Sequence, residues 1–244
     1  MAKTIIITGA GAGLGRTLAQ RFASDGETVI LLGRTLSKIQ ALAEELGPET
    51  LPVECDVADP DSVRSAFAAI ADSHPQIDVL INNAAVYEPF FVTDAKDEQI
   101  LAPLLTNFAG PIYCARAVIP LMRRGGHIIN VSSESVLGEY PTLSIYQSTK
   151  AGLERFSESL ARELAPSGIR VTVFRAGQMM DEHSTSPFTP EAQALLVKAH
   201  MDAGISLHAK PISHFRSVAQ IMRSVIDSPV DVQLGTVAIQ ARKP

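Results

Sequence analysis

Short β-branched and aliphatic runs recur along the chain: KTIIIT (3–8), TVILLG (28–33), LPVECDV (51–57), IDVLINNA (77–84), GHIINVSS (126–133), IRVTVFRAG (169–177) and a weaker TVAIQ (236–240). Most are apolar without alternation, as in parallel strands covered on both faces. Between them lie helix-like stretches such as GRTLAQRFASD, TLSKIQALAEELG, DSVRSAFAAIADS and AGLERFSESLARELAPSG, the last stopped by Pro166 and Gly168. Strand–helix alternation of this kind requires right-handed crossovers, hence an α/β, doubly wound parallel sheet of about seven strands with helices on both faces.

The 244 residues show no internal repeat and no linker, so a single domain spanning 1–244 is expected. Pro103, Pro111 and Pro120 fall in the helical pattern of 97–123 and predict a kinked or broken helix. The stretch 178–212 reads as an irregular substrate lid, because long loops in compact domains are usually binding elements. A net charge of −5 with no Lys/Arg block argues against nucleic-acid partners. No uninterrupted apolar run approaches the ~20 residues of a membrane span, and the N-terminus carries no signal-peptide pattern. Cys55 and Cys114 lie far apart, which fits reduced, buried thiols and a cytoplasmic setting; the six histidines form no metal-binding cluster, so no metal is expected.

The first apolar run ends in TGAGAGLG, Thr8–Gly15, and a helix begins at once. Glycines here allow a tight turn and close approach of a pyrophosphate to the backbone, with helix N–H groups facing the anion. Thr8, Gly9, Gly11, Gly13, Leu14 and Gly15 are therefore dinucleotide candidates. The second run ends in Gly33-Arg34 where NAD-binding sheets usually place a carboxylate. A guanidinium grips a 2′-phosphate that a carboxylate would repel, so Arg34 favours NADP(H), with NAD(H) possible. Asp56, with Val57, is placed either to accept from an adenine amino group or to cap the next helix.

Tyr146 and Lys150 are four residues apart on a helix and share a face. A free phenol titrates near 10, too high for ready proton exchange, and a neighbouring ammonium is expected to lower it. That would make Tyr146 a general acid–base for carbonyl/alcohol chemistry. Ser133 closes its strand at the carboxyl edge, where open α/β sheets hold ligands; its hydroxyl is read either as a holder of the substrate oxygen or as a capping serine. Asn107 is an amide in an apolar helix and must find partners; it is read as a local helix break, a water anchor or a satisfied structural residue.

In motif order and spacing the chain resembles the short-chain dehydrogenase/reductases, in the shorter single-domain branch of about 250 residues. TGxxxGxG is Thr8–Gly15, the adenine element is Asp56-Val57, and NNAA (Asn82 to Ala85) stands where the family has NNAG. The Asn–Ser–Tyr–Lys tetrad maps onto Asn107, Ser133, Tyr146 and Lys150. The resemblance implies a Rossmann-like fold, an NAD(P) cofactor contacted also by Asn83, Ala84, Ala85 and Gly177, and a tyrosine acid–base. It further implies that Lys150 binds the nicotinamide ribose, that Asn107 supports a relay water, and that the chain is a homodimer or homotetramer. Ala85 replaces the family's glycine, Ala176 its proline before Gly177, and QMMDE lacks the usual threonine. The expected function is NADP(H)-dependent interconversion of a carbonyl and a secondary alcohol. The substrate would be a small molecule, a medium-sized and largely apolar carbonyl, lined by Val86, Phe90, Leu137, Met179, Met180 and Phe188. The alternative is a catalytically vestigial nucleotide-binding regulatory or scaffold protein on the same fold.

Overall fold

The computed structural model describes residues 2–181, 188–205 and 211–242. Its elements follow in order as β1 (Thr4–Thr8), α1 (Gly13–Ser24), β2 (Thr28–Gly33), α2 (Leu36–Leu46), β3 (Thr50–Glu54), α3 (Pro60–Ser73) and β4 (Ile77–Asn82). Then come α4 (Asp97–Pro103), α5 (Gly110–Val118), β5 (Met122–Ser133), α6 (Ser144–Leu164) and β6 (Arg170–Ala176). The C-terminal part holds β7 (Met179–Met180), α7 (Pro190–Asp202), β8 (Ser213–His214), α8 (Phe215–Ile226) and β9 (Thr236–Ile239).

Seven strands pair in the order β3-β2-β1-β4-β5-β6-β9, all parallel. The order reverses direction between β1 and β4, and a crevice opens outside their carboxyl ends at such a switch point. Alternation along each strand builds two cores. Ile5, Ile7, Val29, Leu31, Val79, Ile81 and Ile129 meet α1, α2 and α8 on one face. On the other, Ile6, Ile30, Leu32, Leu80 and Ile128 meet α3, α5 and α6. Each fully buried Ile, Leu or Val side chain contributes about 1.5–3 kcal/mol, enough to hold the strand ends that carry the site.

Several boundaries move. β3 stops at Glu54, leaving Asp56 and Val57 in the loop beyond it. β5 starts four residues early, pairing Met122 with Ile77 before a register shift. The region 97–121 is not broken at its prolines. Pro103 is followed by a π-helical stretch, Leu104–Ala109; Pro111 comes directly after that stretch, and Pro120 lies in the closing 3₁₀ turn. By length and composition this helix could cross a membrane, but in the fold it packs on α3, β4 and α6.

Part of the stretch 178–212, expected to be irregular, is helical. Thr189 caps α7 by accepting from the Ala192 N–H, and Pro190 opens the helix. Residues 182–187 and 206–210, which belong to the same expectation, lie outside the described residues.

Candidate active site

A cavity of about 300 Å³ lies over the switch point, lined by Gly9, Gly13, Arg34, Asp56, Val57, Asn83, Ala84 and Ala85, all picked out from the linear chain. Ala12, Gly33, Cys55, Val86 and Thr106 join them. At Gly9, φ is +67° and a Cβ would stand 2.9 Å from the Ala84 Cα; a Cβ on Gly15 would collide with the Gly9 carbonyl. Side chains at those two positions would close the turn over the cavity. Thr8 works behind the turn: its hydroxyl accepts from the N–H groups of Asn83 and Ala84, both at 3.0 Å. The Asn83 amide donates to the Thr8 carbonyl at 3.0 Å and so ties β4 to the turn.

The Leu14 side chain belongs to the apolar core, which leaves its backbone for a ligand. Gly11 backs onto Lys38 and Ile39. Gly177 lies beside Ile239 and Glu134, where a Cβ would stand 2.9 Å from the Ile239 carbonyl. Arg34 is exposed and makes no hydrogen bond or ion pair among the described residues. Asp56 accepts from the Ala58 N–H at 3.0 Å, whereas the N-cap of α3 is Asp59.

The tetrad converges at the carboxyl end of β5. Ser133 ends that strand; its hydroxyl accepts from the Ser135 N–H at 3.2 Å and lies close enough to the Tyr146 phenol, in the first turn of α6, to favour the phenolate. Lys150 is buried one turn on and donates to the Val131 carbonyl at 2.8 Å. Asn107 sits in the π-helical stretch, fully buried. Its oxygen accepts from the Val86 N–H at 2.8 Å, and its nitrogen donates to the Val86 carbonyl at 2.7 Å and to the Thr149 hydroxyl at 3.4 Å. Thr149 in turn donates to the Tyr146 carbonyl at 2.7 Å. The amide is thus committed to protein groups and ties the loop after β4 to α6.

The electrostatics correct one expectation. Burial raises the Tyr146 pKa above its ordinary value, opposed by the Ser133 hydroxyl. Lys150 stands 5.9 Å from the ring centre and does not reverse that shift. Burial instead lowers Lys150 itself from 10.5 to about 8. Desolvation, which disfavours whichever form is charged, outweighs the attraction between the two.

Several residues at the site carried no signal in the linear sequence. Ser132, whose strand alternation turns it away from Ser133, donates to Glu154 at 2.7 Å, and Arg175 grips the same carboxylate at 2.8 and 2.5 Å. One turn further, Asn130 donates to Ser157 at 2.8 Å and accepts from Asn82 at 2.8 Å. Lys150, Glu154 and Ser157 therefore form a polar seam fixing α6 along β5, which helical spacing alone could have suggested. Tyr87 lies with its ring centre 5.1 Å from that of Tyr146. Of the expected substrate walls, Val86 and Phe188 line a cavity of about 420 Å³ beside the site. Phe90 is buried, Met179 packs on the core, and Leu137 and Met180 stand exposed.

The short chain dehydrogenase family matches residues 3–189. The chain is 36% identical over 178 residues to an NADP-dependent 3-hydroxy acid dehydrogenase of Salmonella typhi, 71% of each chain. It is 36% identical over 188 residues to a serine 3-dehydrogenase of Agrobacterium fabrum, covering 75% of this chain and 74% of that one. Among solved structures, the closed form of a serine dehydrogenase complexed with NADP+ superposes with a TM-score of 0.85 at 26% identity, over 97% of this chain and 94% of the other. With the sheet order, the glycine turn and the converged Ser133, Tyr146 and Lys150 already in place, these matches mean that the chain belongs to the short chain dehydrogenase family.

Proposed function

We propose that this chain, acting as one domain, interconverts a carbonyl and a secondary alcohol with Tyr146 as the acid–base. The observation that carries this reading is the convergence of Ser133, Tyr146 and the buried Lys150 at the carboxyl edge of β5, in a site that adjoins the dinucleotide groove through Val86. The enzyme is an NADP(H)-dependent oxidoreductase: relatives carry that dependence in their names, and Arg34 stands exposed on the groove wall for a 2′-phosphate. NAD(H), lacking that phosphate, would make one contact fewer. Thr8, Gly9, Gly13, Asp56, Asn83, Ala84 and Ala85 would hold the dinucleotide. Bound there, its nicotinamide supplies or accepts a hydride.

The residues of the chain handle the proton. A phenol whose pKa is raised by burial stays protonated at neutral pH, loaded for donation to an oxygen that gains negative charge. Ser133 holds the same oxygen. Lys150, with a pKa of about 8, is largely ammonium at neutral pH and stabilises the phenolate left behind. Asn107 positions Val86 and α6 around the reacting atoms.

Loss of NADPH absorbance with a panel of aliphatic, aromatic and sugar carbonyls tests the reading. Wild-type turnover is expected, and Tyr146→Phe should reduce it by about 10²–10⁴-fold with NADPH binding retained. If NADPH binds but no carbonyl is reduced, the scaffold alternative takes its place. Leu101, Leu104 and Leu105, exposed on the helix 97–121, support self-association as a homodimer or homotetramer, which light scattering would measure.

A further inference from the structure

Tyr87 stands between two spaces. One side of its ring faces Tyr146, at 5.1 Å between centres and 41° between planes. Phe188, which enters α7, meets it edge-on at 4.7 Å and 87°. Beyond these two rings lies the cavity of about 420 Å³, floored by Val86, Ala102, Pro103 and Ala192. That volume lies in the ~300–1,000 Å³ range of small-molecule pockets. Val86 also lines the dinucleotide groove, so groove and cavity share a wall.

Nothing in core packing explains Tyr87. The residue is 40% exposed, and its hydroxyl makes no hydrogen bond among the described residues. Burial of the phenol, with Tyr146 alongside, raises its pKa to about 12, so it is a neutral partition at any working pH and not a second acid–base. The cavity has a chemical sign as well as a size. Among the described residues, Glu88 and Glu98 border it without an ion pair and no Lys or Arg lines it. An apolar floor with a carboxylate rim accepts a hydrocarbon arm and repels a terminal carboxylate.

We propose that this cavity receives the arm of the carbonyl substrate, that the arm is apolar and carries no carboxylate, and that Tyr87 is the specificity-determining residue at its entrance. The assignment rests on the carbonyl reading above and narrows it. A carbonyl held by Ser133 and Tyr146 passes its arm along the Tyr87 ring towards Phe188, and swinging or removing that ring sets how wide an arm can pass.

The test uses full-length protein with NADPH and methyl ketones of increasing chain length, each ending in methyl or in carboxylate. Wild type, Tyr87→Phe, Tyr87→Ala and Glu88→Gln/Glu98→Gln are compared, and alkyl alcohols and alkyl carboxylates are also titrated calorimetrically into the NADP-loaded protein. In wild type, kcat/KM should rise about fourfold per added methylene until the cavity is filled, with the gain mainly in KM. Carboxylate-ended ketones should be disfavoured about tenfold or more at low salt. The double glutamine variant should erase that penalty, read as the ratio of kcat/KM for carboxylate-ended over methyl-ended ketones of equal length. Tyr87→Ala should shift the preference to branched and aromatic arms, and Tyr87→Phe, which keeps the ring, should shift it less. A Tyr87→Ala profile identical to wild type, or a carboxylate penalty that survives the double substitution, overturns the proposal and leaves the carbonyl reading standing. If no ketone is reduced, the carbonyl reading fails and calorimetry decides the cavity: a shift of alcohol binding from linear towards branched chains in Tyr87→Ala supports arm recognition, and unchanged or absent binding overturns it.

Discussion

The Lys150 ammonium donates to the Val131 carbonyl at 2.8 Å while remaining 5.9 Å from the Tyr146 ring centre. The cation of the catalytic pair is therefore anchored to the strand that carries Ser133, and its burial has a thermodynamic sign. An exposed lysine titrates at 10.5 and this one at about 8. Between those values the folded protein binds fewer protons than the unfolded chain, so stability rises with pH across that window; below it the full cost of the buried charge is present. Lys150→Met at pH 7 is expected to abolish activity and to raise stability by up to about 3 kcal/mol, less the lost hydrogen bond. Thermal unfolding at pH 7 and above pH 10.5 checks this, since the advantage should vanish in alkali.

Arg34 has no protein partner among the described residues, so replacing it disturbs little else. Arg34→Ser should weaken NADPH by about 10- to 100-fold, the worth of a charge-assisted contact, and leave NADH binding nearly unchanged. Fluorescence titration with both nucleotides gives the ratio. Equal losses for the two would show that the guanidinium does not meet the 2′-phosphate.

Glu154 and Arg175 are joined at two points in a half-buried setting, with side-chain exposures of 14% and 19%. Burial raises the Glu154 pKa, but Arg175 and Ser132 together bring it below 4.5. The stability it contributes is present above the ordinary carboxylate range and is lost as pH falls through the lower folded value. Glu154→Ala and Arg175→Ala should each cost about 2–3 kcal/mol by stranding the other charge. The double variant should cost clearly less than their sum, which chemical denaturation of all four proteins would show.

Thr142 has a φ of +69°, unusual for a β-branched residue, and its buried hydroxyl has no partner among the described residues. The loop holds it there because the Thr142 carbonyl accepts from the Phe90 N–H at 3.1 Å. Thr142→Gly should relieve the strain and stabilise the protein by up to about 1 kcal/mol. A drop in melting temperature would mean that the side chain packs better than its torsion suggests.

What could be read before folding follows from short-range periodicity. Continuous apolar runs implied a parallel sheet, the glycines of Thr8–Gly15 implied a phosphate turn, and four-residue spacing put Tyr146 and Lys150 on one face. The π-helical stretch at Asn107 escaped because prolines read as breaks, whereas the helix runs on past Pro103 and Pro111. The ordered α7 escaped because its apolar residues form no strong stripe.

The linear chain by itself determined the local elements, the glycine turn and which residue types could move a proton. Only the tertiary structure decided that Tyr87 stands over Tyr146, that Asn107 is spent on Val86 and Thr149, and that burial moves both catalytic pKa values against the direction charge pairing favours. The reason is physical: spacing along a chain fixes which side chains share a face, while desolvation depends on what the rest of the fold stacks above that face.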